Sequence, residues 1–164
     1  MSAKEKVLTT LDNLGISYEK YDHPPLPTIE AATDYWKDID ATHCKNLFFR
    51  NHKGNRHYLV ILEHMQKLDI RDLEQRLKQG KISFASQKRM DRYLGLSGGS
   101  VSIFGLINDH DSHVHVFLDE TLKRAEKISF HPNDNTATLV ISFEDLMKYL
   151  DATGNSFEFI QLYD

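Results

Sequence analysis

The stretch "THCKNLFFRN", residues 42–51, contains a lysine, Lys45, directly beside an apolar run. A lysine next to a strand usually packs its aliphatic stem on apolar surface and keeps its ammonium group in water. A cation that the fold holds in place can instead bind a phosphate or stabilise negative charge that develops during a reaction. The adjacent thiol of Cys44 could be activated by that cation, but no acyl-enzyme sequence pattern accompanies it. On these residues alone, a surface lysine is the simpler interpretation.

A second stretch, "GGSVSIFGLIND", residues 98–109, combines a double glycine with two hydroxyl side chains. Gly98 and Gly99 have no side chain, so their backbone N–H groups could approach a ligand closely. Ser100 and Ser102 add hydroxyl groups to the same segment. Taken alone, the pattern is equally typical of a tight turn between two elements, and the turn is the simpler interpretation.

The third stretch, "HDSHVH", offers His110, Asp111, His113 and His115 as ligands for a metal. If it were a strand, His113 and His115 would lie on one face. No glutamate base accompanies them as in a zinc-protease helix, and a polar hairpin is the commoner explanation. We therefore expect neither a metal nor a cofactor.

Length and composition set limits on the class of protein. A chain of 164 residues is the size of one ordinary domain, so we expect a single domain over residues 1–164. No apolar run approaches the roughly 20 residues that a membrane span needs, so no membrane partner is expected. The charged, amphipathic start is unlike a secretory signal, and a single cysteine fits a reducing compartment. These features predict a cytoplasmic protein.

The charges are unevenly distributed along the chain. The net charge is −4, but residues 37–92 hold 13 of the 20 Lys and Arg against 7 of the 24 acidic residues, a local balance of +6. This asymmetry indicates a partner that carries phosphates and contacts one side of the molecule. Solvated helices would explain the same charges without a partner.

Hydrophobic periodicity and capping residues predict helices interspersed with short strands. Thr28, Asp69 and Ser86 stand where helix N-caps are expected, and Gly15 and Gly80 where helices should stop. The loop "NHKGN" joins two strands that should pair antiparallel. The predicted helices cover residues 3–14, 29–36, 69–80, 87–95 and 143–154, and the predicted strands cover residues 16–21, 46–50, 57–62, 114–119, 136–142 and 157–162. This pattern favours an α+β fold with a mixed sheet over a doubly wound one.

Four segments, "HPPLPTIEAA", "CKNLFFRN", "GGSVSIFGLIND" and "FHPN", in this order over nearly the whole chain, resemble the YbaK/ProX superfamily of aminoacyl-tRNA deacylases. Within that superfamily the chain is most similar to the free-standing prolyl-tRNA editing proteins of the PrdX or ProXp-ala type. The resemblance implies a mixed, mostly antiparallel curved sheet flanked by helices. It also implies hydrolysis of the ester that joins a wrong amino acid, alanine first, to tRNA(Pro), the aminoacyl-tRNA partner.

The resemblance also assigns functional positions. Lys45 matches the family's lysine and Asn46 is its neighbour, the segment from Gly99 to Ile103 matches the family's glycine-to-proline loop, and His131 matches its histidine. Lys45 would hold the terminal nucleotide, and the backbone amides of Gly99 and Ser100 would face the ester carbonyl. Asn46 would contact the amino group or ribose, and His131 would line the pocket. An aminoacyl ester needs only a positioned water and a stabilised oxyanion.

Gly98 and Ile103 complete the expected substrate-binding loop. Ile103 departs from the family, whose loop usually closes with proline, and so restores an N–H and adds a branched side chain. A pocket built for proline cannot exclude the smaller alanine by size, which explains why a second, smaller pocket is needed. The departure leaves the amino acid open among alanine, serine, threonine and cysteine.

Two other classes of function stay open at this point. One is a non-catalytic tRNA-binding module, which would be expected to have lost part of the set formed by Lys45, the double glycine and His131. The other is a metal-dependent hydrolase built on His110, His113 and His115. A prolyl-tRNA synthetase or an elongation factor would be the protein partner that delivers the substrate.

Overall fold

The computed structural model describes residues 1–26, 29–97 and 100–164, with the backbone but not the side chain of Ile29. The helices are α1 Ala3–Asn13, α2 Ile29–Trp36, α3 Ile70–Leu77, α4 Gln87–Leu94 and α5 Phe143–Thr153, with 3₁₀ segments at Ile103–Asn108 and Glu120–Arg124. The strands are β1 Glu19–Asp22, β2 Thr42–Asn51, β3 His57–Glu63, β4 Ile82–Phe84, β5 His115–Asp119, β6 Lys127–Phe130, β7 Ala137–Ser142 and β8 Phe157–Ile160.

All eight described strands belong to one mixed sheet. Its order is β1-β7-β6-β2-β3-β5-β8, and β4 pairs with β2 outside that path. The pairs β1–β7, β6–β7, β2–β3 and β2–β4 are antiparallel. The pairs β2–β6, β3–β5 and β5–β8 are parallel. The expected α+β fold with a mixed, mostly antiparallel sheet and flanking helices is confirmed.

Strand β2 is the centre of this sheet because it changes partners along its length. Its first two residues pair with β6, residues 44–50 pair with β3, and its last three residues pair with β4. Since β3 occupies one edge, β6 and β4 share the other edge and leave residues 44–48 between them without a strand neighbour there, among the described residues. Lys45 and Asn46 lie in this interval, inside the strand. The segment "NLFFR" alone had predicted that the strand begins at Asn46.

The sheet is covered on both faces. Leu59 and Ile61 of β3 belong to a core with α1, α5 and the first 3₁₀ segment, whereas Val60 and Leu62 belong to a second core with α3. Alternate side chains of a strand point to opposite faces, so the continuous apolar run "HYLVIL" is explained by burial on both sides. Each fully buried Leu or Ile contributes roughly 1.5–3 kcal/mol to folding.

Several local predictions are confirmed and several are wrong. Asp69 and Ser86 cap α3 and α4 as expected. Helix α3 ends earlier than Gly80, because Lys78 itself adopts a left-handed conformation with φ of 57°. The strand predicted at residues 16–21 begins later, at Glu19, since Ile16 turns into the core instead. The N-cap predicted at Thr28 lies outside the described residues.

The sequence did not predict β4 and β6. They contain three and four residues and stand in no longer alternating run, whereas the four-residue β1 and β8 lie within the runs "ISYEKY" and "FEFIQL" that predicted them. Both complete the edge of β2, so these two short strands define the interval that holds Lys45. No helix in the described ranges has the length and apolar character needed to cross a membrane.

The turn before β5 depends on one buried carboxylate. Asp109 is 7% exposed, and its Oδ2 accepts hydrogen bonds from the Val114 N–H at 2.8 Å and from Asn155 Nδ2 at 2.9 Å. Replacing it removes the acceptor of two buried donors, which is costly because each donor has then lost water without gaining a partner.

We expect Asp109→Ala to lower the free energy of unfolding by about 3 kcal/mol. The exposed neighbour Asp111 is the matched control, and Asp111→Ala should change it by less than about 0.5 kcal/mol. Urea unfolding followed by circular dichroism measures both. Equal effects of the two substitutions would contradict the structural role of Asp109.

Candidate active site

The segments "CKN", "SIFG" and "FHPN" meet around the beginning of the first 3₁₀ segment. The Ile103 N–H donates to Asn46 Oδ1 at 3.0 Å, and the Tyr149 hydroxyl donates to the Ile103 carbonyl at 2.9 Å. Asn133 Nδ2 donates to the Phe104 carbonyl at 3.2 Å. Side chains from β2, α5 and the loop after β6 therefore fix the same two residues.

The sequence explains why the chain turns at this point. Ser102 precedes the 3₁₀ segment with an extended backbone, and its hydroxyl accepts from the Phe104 N–H at 3.2 Å. This is the usual way in which a serine begins a helical turn. The side chains of Ile103 and Phe104 are fully buried. Because its side chain is buried, Ile103 can affect a ligand only indirectly, by fixing the position of the loop.

Lys45 is half-buried, and its ammonium group donates to the Gln66 carbonyl in the turn after β3. Among the described residues it forms no salt bridge. Burial lowers the pKa of the Lys45 ammonium group, while the nearby carboxylate of Glu63 acts in the opposite direction. A held cation whose charge is not neutralised by a direct carboxylate contact can bind a phosphate or another anionic group.

His131 lies on the other side of the loop, against the backbone of Ser100 and Val101. Its Nε2 atom is buried and has no hydrogen-bond partner within the described part of the chain. Burial lowers the pKa of His131, and contacts with the backbone of Ser100 and Val101 act in the opposite direction. The ring is therefore neutral at pH 7, and its Nε2 atom is left for a ligand or a water molecule.

The glycine segment is only partly described. Gly98 and Gly99, the two expected backbone donors, lie outside the described residues. The Ser100 N–H donates to the Ser97 carbonyl at 3.0 Å, so contact with an ester carbonyl would require it to share or break that bond. The functions of these residues stay predictions.

Helix α2 is held against the sheet near the site by one threonine. The Trp36 indole N–H donates to Thr138 Oγ1 at 3.1 Å, and His23 Nε2 lies 2.9 Å from the same oxygen. Trp36 also stacks on His43 with 4.7 Å between ring centroids. The "HPP" loop and α2 are thereby attached to β7 and β2 beside Lys45.

Sequence reasoning missed Asn133, Tyr149 and Thr138. Asn133 and Tyr149 each act through one hydrogen bond to a residue distant in sequence, and Thr138 acts through two, with Trp36 and His23. Asn133 stands in the quoted "FHPN", whereas for a core tyrosine and a strand threonine the sequence holds no signal.

Cys44 is 6% exposed and unpaired. Burial raises the pKa of its thiol strongly, so the reactive thiolate is absent at neutral pH. Cys44 contributes to packing beside Lys45.

The histidine-rich stretch does not gather around one point. His113 Nε2 lies 2.8 Å from His57 Nδ1, and His115 contacts Ser156 and Glu158. Strand β5 begins only at His115, so His113 and His115 do not share a strand face. The described residues contain no group of three or more His, Cys, Asp or Glu side chains arranged to hold a metal.

We expect Asn46→Ala and Ile103→Pro to be coupled. Ser102 already has the extended backbone that precedes proline, with φ of −153° and ψ of 153°, so Ile103→Pro removes the N–H without forcing the chain. Once either partner is gone, the second substitution should cost less, with a coupling energy of about 1 kcal/mol. Urea unfolding of the two single variants and the double variant measures it. Asn46→Ala with the exposed Asp111→Ala is the control and should be additive within about 0.5 kcal/mol. If the effects of Asn46→Ala and Ile103→Pro on the free energy of unfolding are additive, the hydrogen bond between these residues does not stabilise the fold.

The lowered pKa of His131 predicts a pH dependence of stability. The unfolded chain binds a proton near the ordinary histidine pKa of about 6.5, whereas the folded protein resists it. Stability should therefore fall as pH decreases from about 6.5 towards the lower folded pKa. His131→Asn cannot titrate in this range, so its free energy of unfolding should fall less between pH 7.5 and 5.5. Identical pH profiles for wild type and variant would contradict burial of a neutral ring.

The sequence matches the family described as the aminoacyl-tRNA editing domain over residues 23–149. Prolyl-tRNA editing protein ProX of Acetoanaerobium sticklandii is 43% identical over 164 residues, which cover 99% of both chains. Prolyl-tRNA synthetase associated domain-containing protein 1 of Mus musculus is 32% identical over 149 residues, 88% of each chain.

The fold is also similar to that of a solved candidate trans-editing enzyme for prolyl tRNA synthetase. The TM-score is 0.72 with 19% identity, over 98% of both chains. The family match includes Lys45, Asn46, Ile103 and His131. The chain belongs to the aminoacyl-tRNA editing domain family and is an aminoacyl-tRNA deacylase.

Proposed function

We propose that this protein edits tRNA(Pro) in trans by hydrolysing the ester of a wrongly attached amino acid, and that alanine is its main substrate. The observation that carries the proposal is the 43% identity to a prolyl-tRNA editing protein over 99% of both chains. The arrangement of Asn46 and His131 at the Ile103 loop supports it, because these two residues reach one loop from two elements, with Lys45 next to Asn46 on β2.

The reaction proceeds by attack of water on the ester carbonyl. The carbonyl carbon gains a bond to the water oxygen, the oxyanion forms, and the bond to the ribose oxygen then breaks. The ribose oxygen receives a proton, which leaves a free amino acid and uncharged tRNA. In this proposal the backbone N–H groups of Gly99 and Ser100 donate to the oxyanion, and the Ser100 N–H leaves or shares its bond to the Ser97 carbonyl to do so. This is the kind of electrostatic contact that contributes most to such reactions.

Lys45 binds the terminal nucleotide of the tRNA and fixes the ester. Its ammonium group is already held by the Gln66 carbonyl, so little side-chain freedom is lost when a phosphate binds. Asn46 commits Oδ1 to the loop and keeps Nδ2 for the substrate amino group or ribose. The neutral ring of His131 lines the amino-acid pocket.

Size explains the choice of substrate. Missing methylenes give a synthetase only about 1–3 kcal/mol each against alanine, so a second pocket must reject proline by bulk. The buried Ile103 sets the depth of that pocket from below. Serine and cysteine, whose side chains are one heavy atom larger than that of alanine, and threonine, which is larger still, are the alternative substrates.

The remaining parts of the proposal concern context. A prolyl-tRNA synthetase or an elongation factor delivers the substrate, and the protein acts in the cytoplasm as a single domain over residues 1–164. Relatives named for association with prolyl-tRNA synthetase support the first of these. The other two stay predictions from length and cysteine content.

Wild-type protein should deacylate Ala-tRNA(Pro) at least 10-fold faster than Pro-tRNA(Pro). A difference of about 1.4 kcal/mol in activation free energy between the two substrates gives this ratio. Lys45→Ala should lower kcat/KM by about 100-fold, the effect of removing one such electrostatic group. Release of labelled alanine measures both, with serine-, threonine- and cysteine-charged tRNA(Pro) in parallel.

The control is Lys148→Ala, which removes an exposed lysine of α5 and should retain wild-type activity. Absence of hydrolysis of every mischarged tRNA would favour the non-catalytic tRNA-binding alternative. Full activity of Lys45→Ala would remove Lys45 from the site. Faster turnover of another charged tRNA would reassign the substrate.

A further inference from the structure

A polar groove of about 550 Å³ lies at the far end of β2 from Lys45. It runs between the β2–β3 hairpin loop and the turn that joins α3 to β4. Four cationic side chains line it, Lys53, Arg56, Lys78 and Lys81, and we call it the basic groove. Its other polar side chains include the amides of Asn51, Asn55 and Gln79 and the imidazole of His52.

The positive charge of the basic groove is not neutralised. No Asp or Glu is among its lining residues, and within the described ranges none of its four cations forms an ion pair. Outside the groove, the ion pairs of lysine and arginine in the described residues are Lys20 with Asp22, Arg76 with Asp72 and Asp164, and Lys127 with Glu19. Unpaired cations around a concave surface create a local positive potential on a protein whose net charge is −4.

The loop that carries half of these cations is well fixed. Asn51 Oδ1 accepts from the backbone N–H groups of Asn55 and Arg56, each at 3.1 Å. Arg89 donates to the Gly54 carbonyl at 2.9 Å from outside the groove. Tyr58, 3% exposed, lies at the floor with its hydroxyl 3.4 Å from Gln79. A fixed backbone lowers the entropy that binding would otherwise cost.

We propose that the basic groove binds the sugar-phosphate backbone of the RNA stem of the tRNA substrate, away from the reacting ester. This rests on the proposed function. Lysine, arginine and amide side chains are the groups that contact RNA phosphates and hydroxyls without reading sequence. Such contacts orient a duplex, while the ester is positioned elsewhere.

The distance between Lys45 and the basic groove along β2 is consistent with separate contacts to the ester end and to the stem of the tRNA. Lys45 and Asn51 are six residues apart on one strand, about 20 Å at 3.3 Å per residue. The two ends of the strand therefore contact RNA several nucleotides apart. A neighbouring cavity shares Arg56 but contains Glu158, so the uninterrupted positive surface ends there.

An RNA backbone fits better than an acidic protein segment. Protein partners usually insert apolar or aromatic anchors into pockets. The basic groove is lined by charged and amide side chains, and its aromatic residue, Tyr58, is buried at the floor. Phosphates spaced along a chain match this lining.

The test compares two double variants that each remove two exposed lysines. Lys53→Gln with Lys81→Gln changes the basic groove, whereas Lys20→Gln with Lys148→Gln changes β1 and α5. Binding of uncharged tRNA(Pro) is measured by fluorescence anisotropy between 50 and 300 mM salt, so that it does not depend on turnover. Deacylation of Ala-tRNA(Pro) is measured in parallel.

We expect the groove variant to bind tRNA about 10-fold more weakly. The slope of log Kd against log salt should decrease by about 2, one for each phosphate that the variant no longer neutralises. The control should keep the wild-type slope. Equal slopes for both variants, or an unchanged groove variant, would overturn the proposal. Competition by polyglutamate as strong as that of tRNA at equal charge would also overturn it, in favour of an acidic protein partner.

The two proposals fail in different ways. If wild type hydrolyses no charged tRNA while the groove variant still loses affinity for tRNA, the basic groove stands and the editing function fails. If wild type hydrolyses Ala-tRNA(Pro) and the groove variant binds tRNA like wild type, the editing function stands and the groove proposal fails.

Discussion

The hydrogen bond from the Ile103 N–H to the Asn46 side chain holds the candidate site together. Ile103 is fully buried, and both its backbone polar groups are satisfied by side chains, the N–H by Asn46 and the carbonyl by Tyr149. A buried backbone group without a partner would be costly, so these side chains determine the position of the loop. Strand β2, helix α5 and the first 3₁₀ segment are thereby joined at one residue.

The electrostatics of the proposed site fit the binding of an anionic group. Lys45 keeps its charge without a carboxylate contact among the described residues, and His131 stays neutral because it is buried. Neither side chain resembles a strong nucleophile. The chemistry that we propose therefore relies on the position of water and of backbone donors, which is sufficient for an activated ester.

Local sequence rules predicted what depends on local residues. The caps of α3 and α4 and the antiparallel pairing of β2 with β3 follow from Asp69, Ser86 and the hairpin loop. Strands β4 and β6 were missed because they are short, stand in no longer alternating run and form by pairing with β2.

The residues of the candidate site also fall into those that local sequence could indicate and those that it could not. Lys45, Asn46 and His131 were proposed because their motifs resemble a family, and nothing in their spacing predicted that Asn46 and His131 would contact one loop. Tyr149 and Thr138 could not be found, since a hydroxyl in a core helix or strand reveals its partner only when distant segments fold together. Lys78 illustrates a local failure, in which a residue other than glycine ends a helix in the left-handed region.

The burial of Cys44 makes the site independent of redox state. Its thiol is protonated and covered beside the lysine on which substrate binding is proposed to depend. Peroxide and alkylating agents react with exposed thiolates, so the chain's single cysteine offers them no target next to the site. Oxidation of a cysteine is therefore not expected to change the surroundings of Lys45.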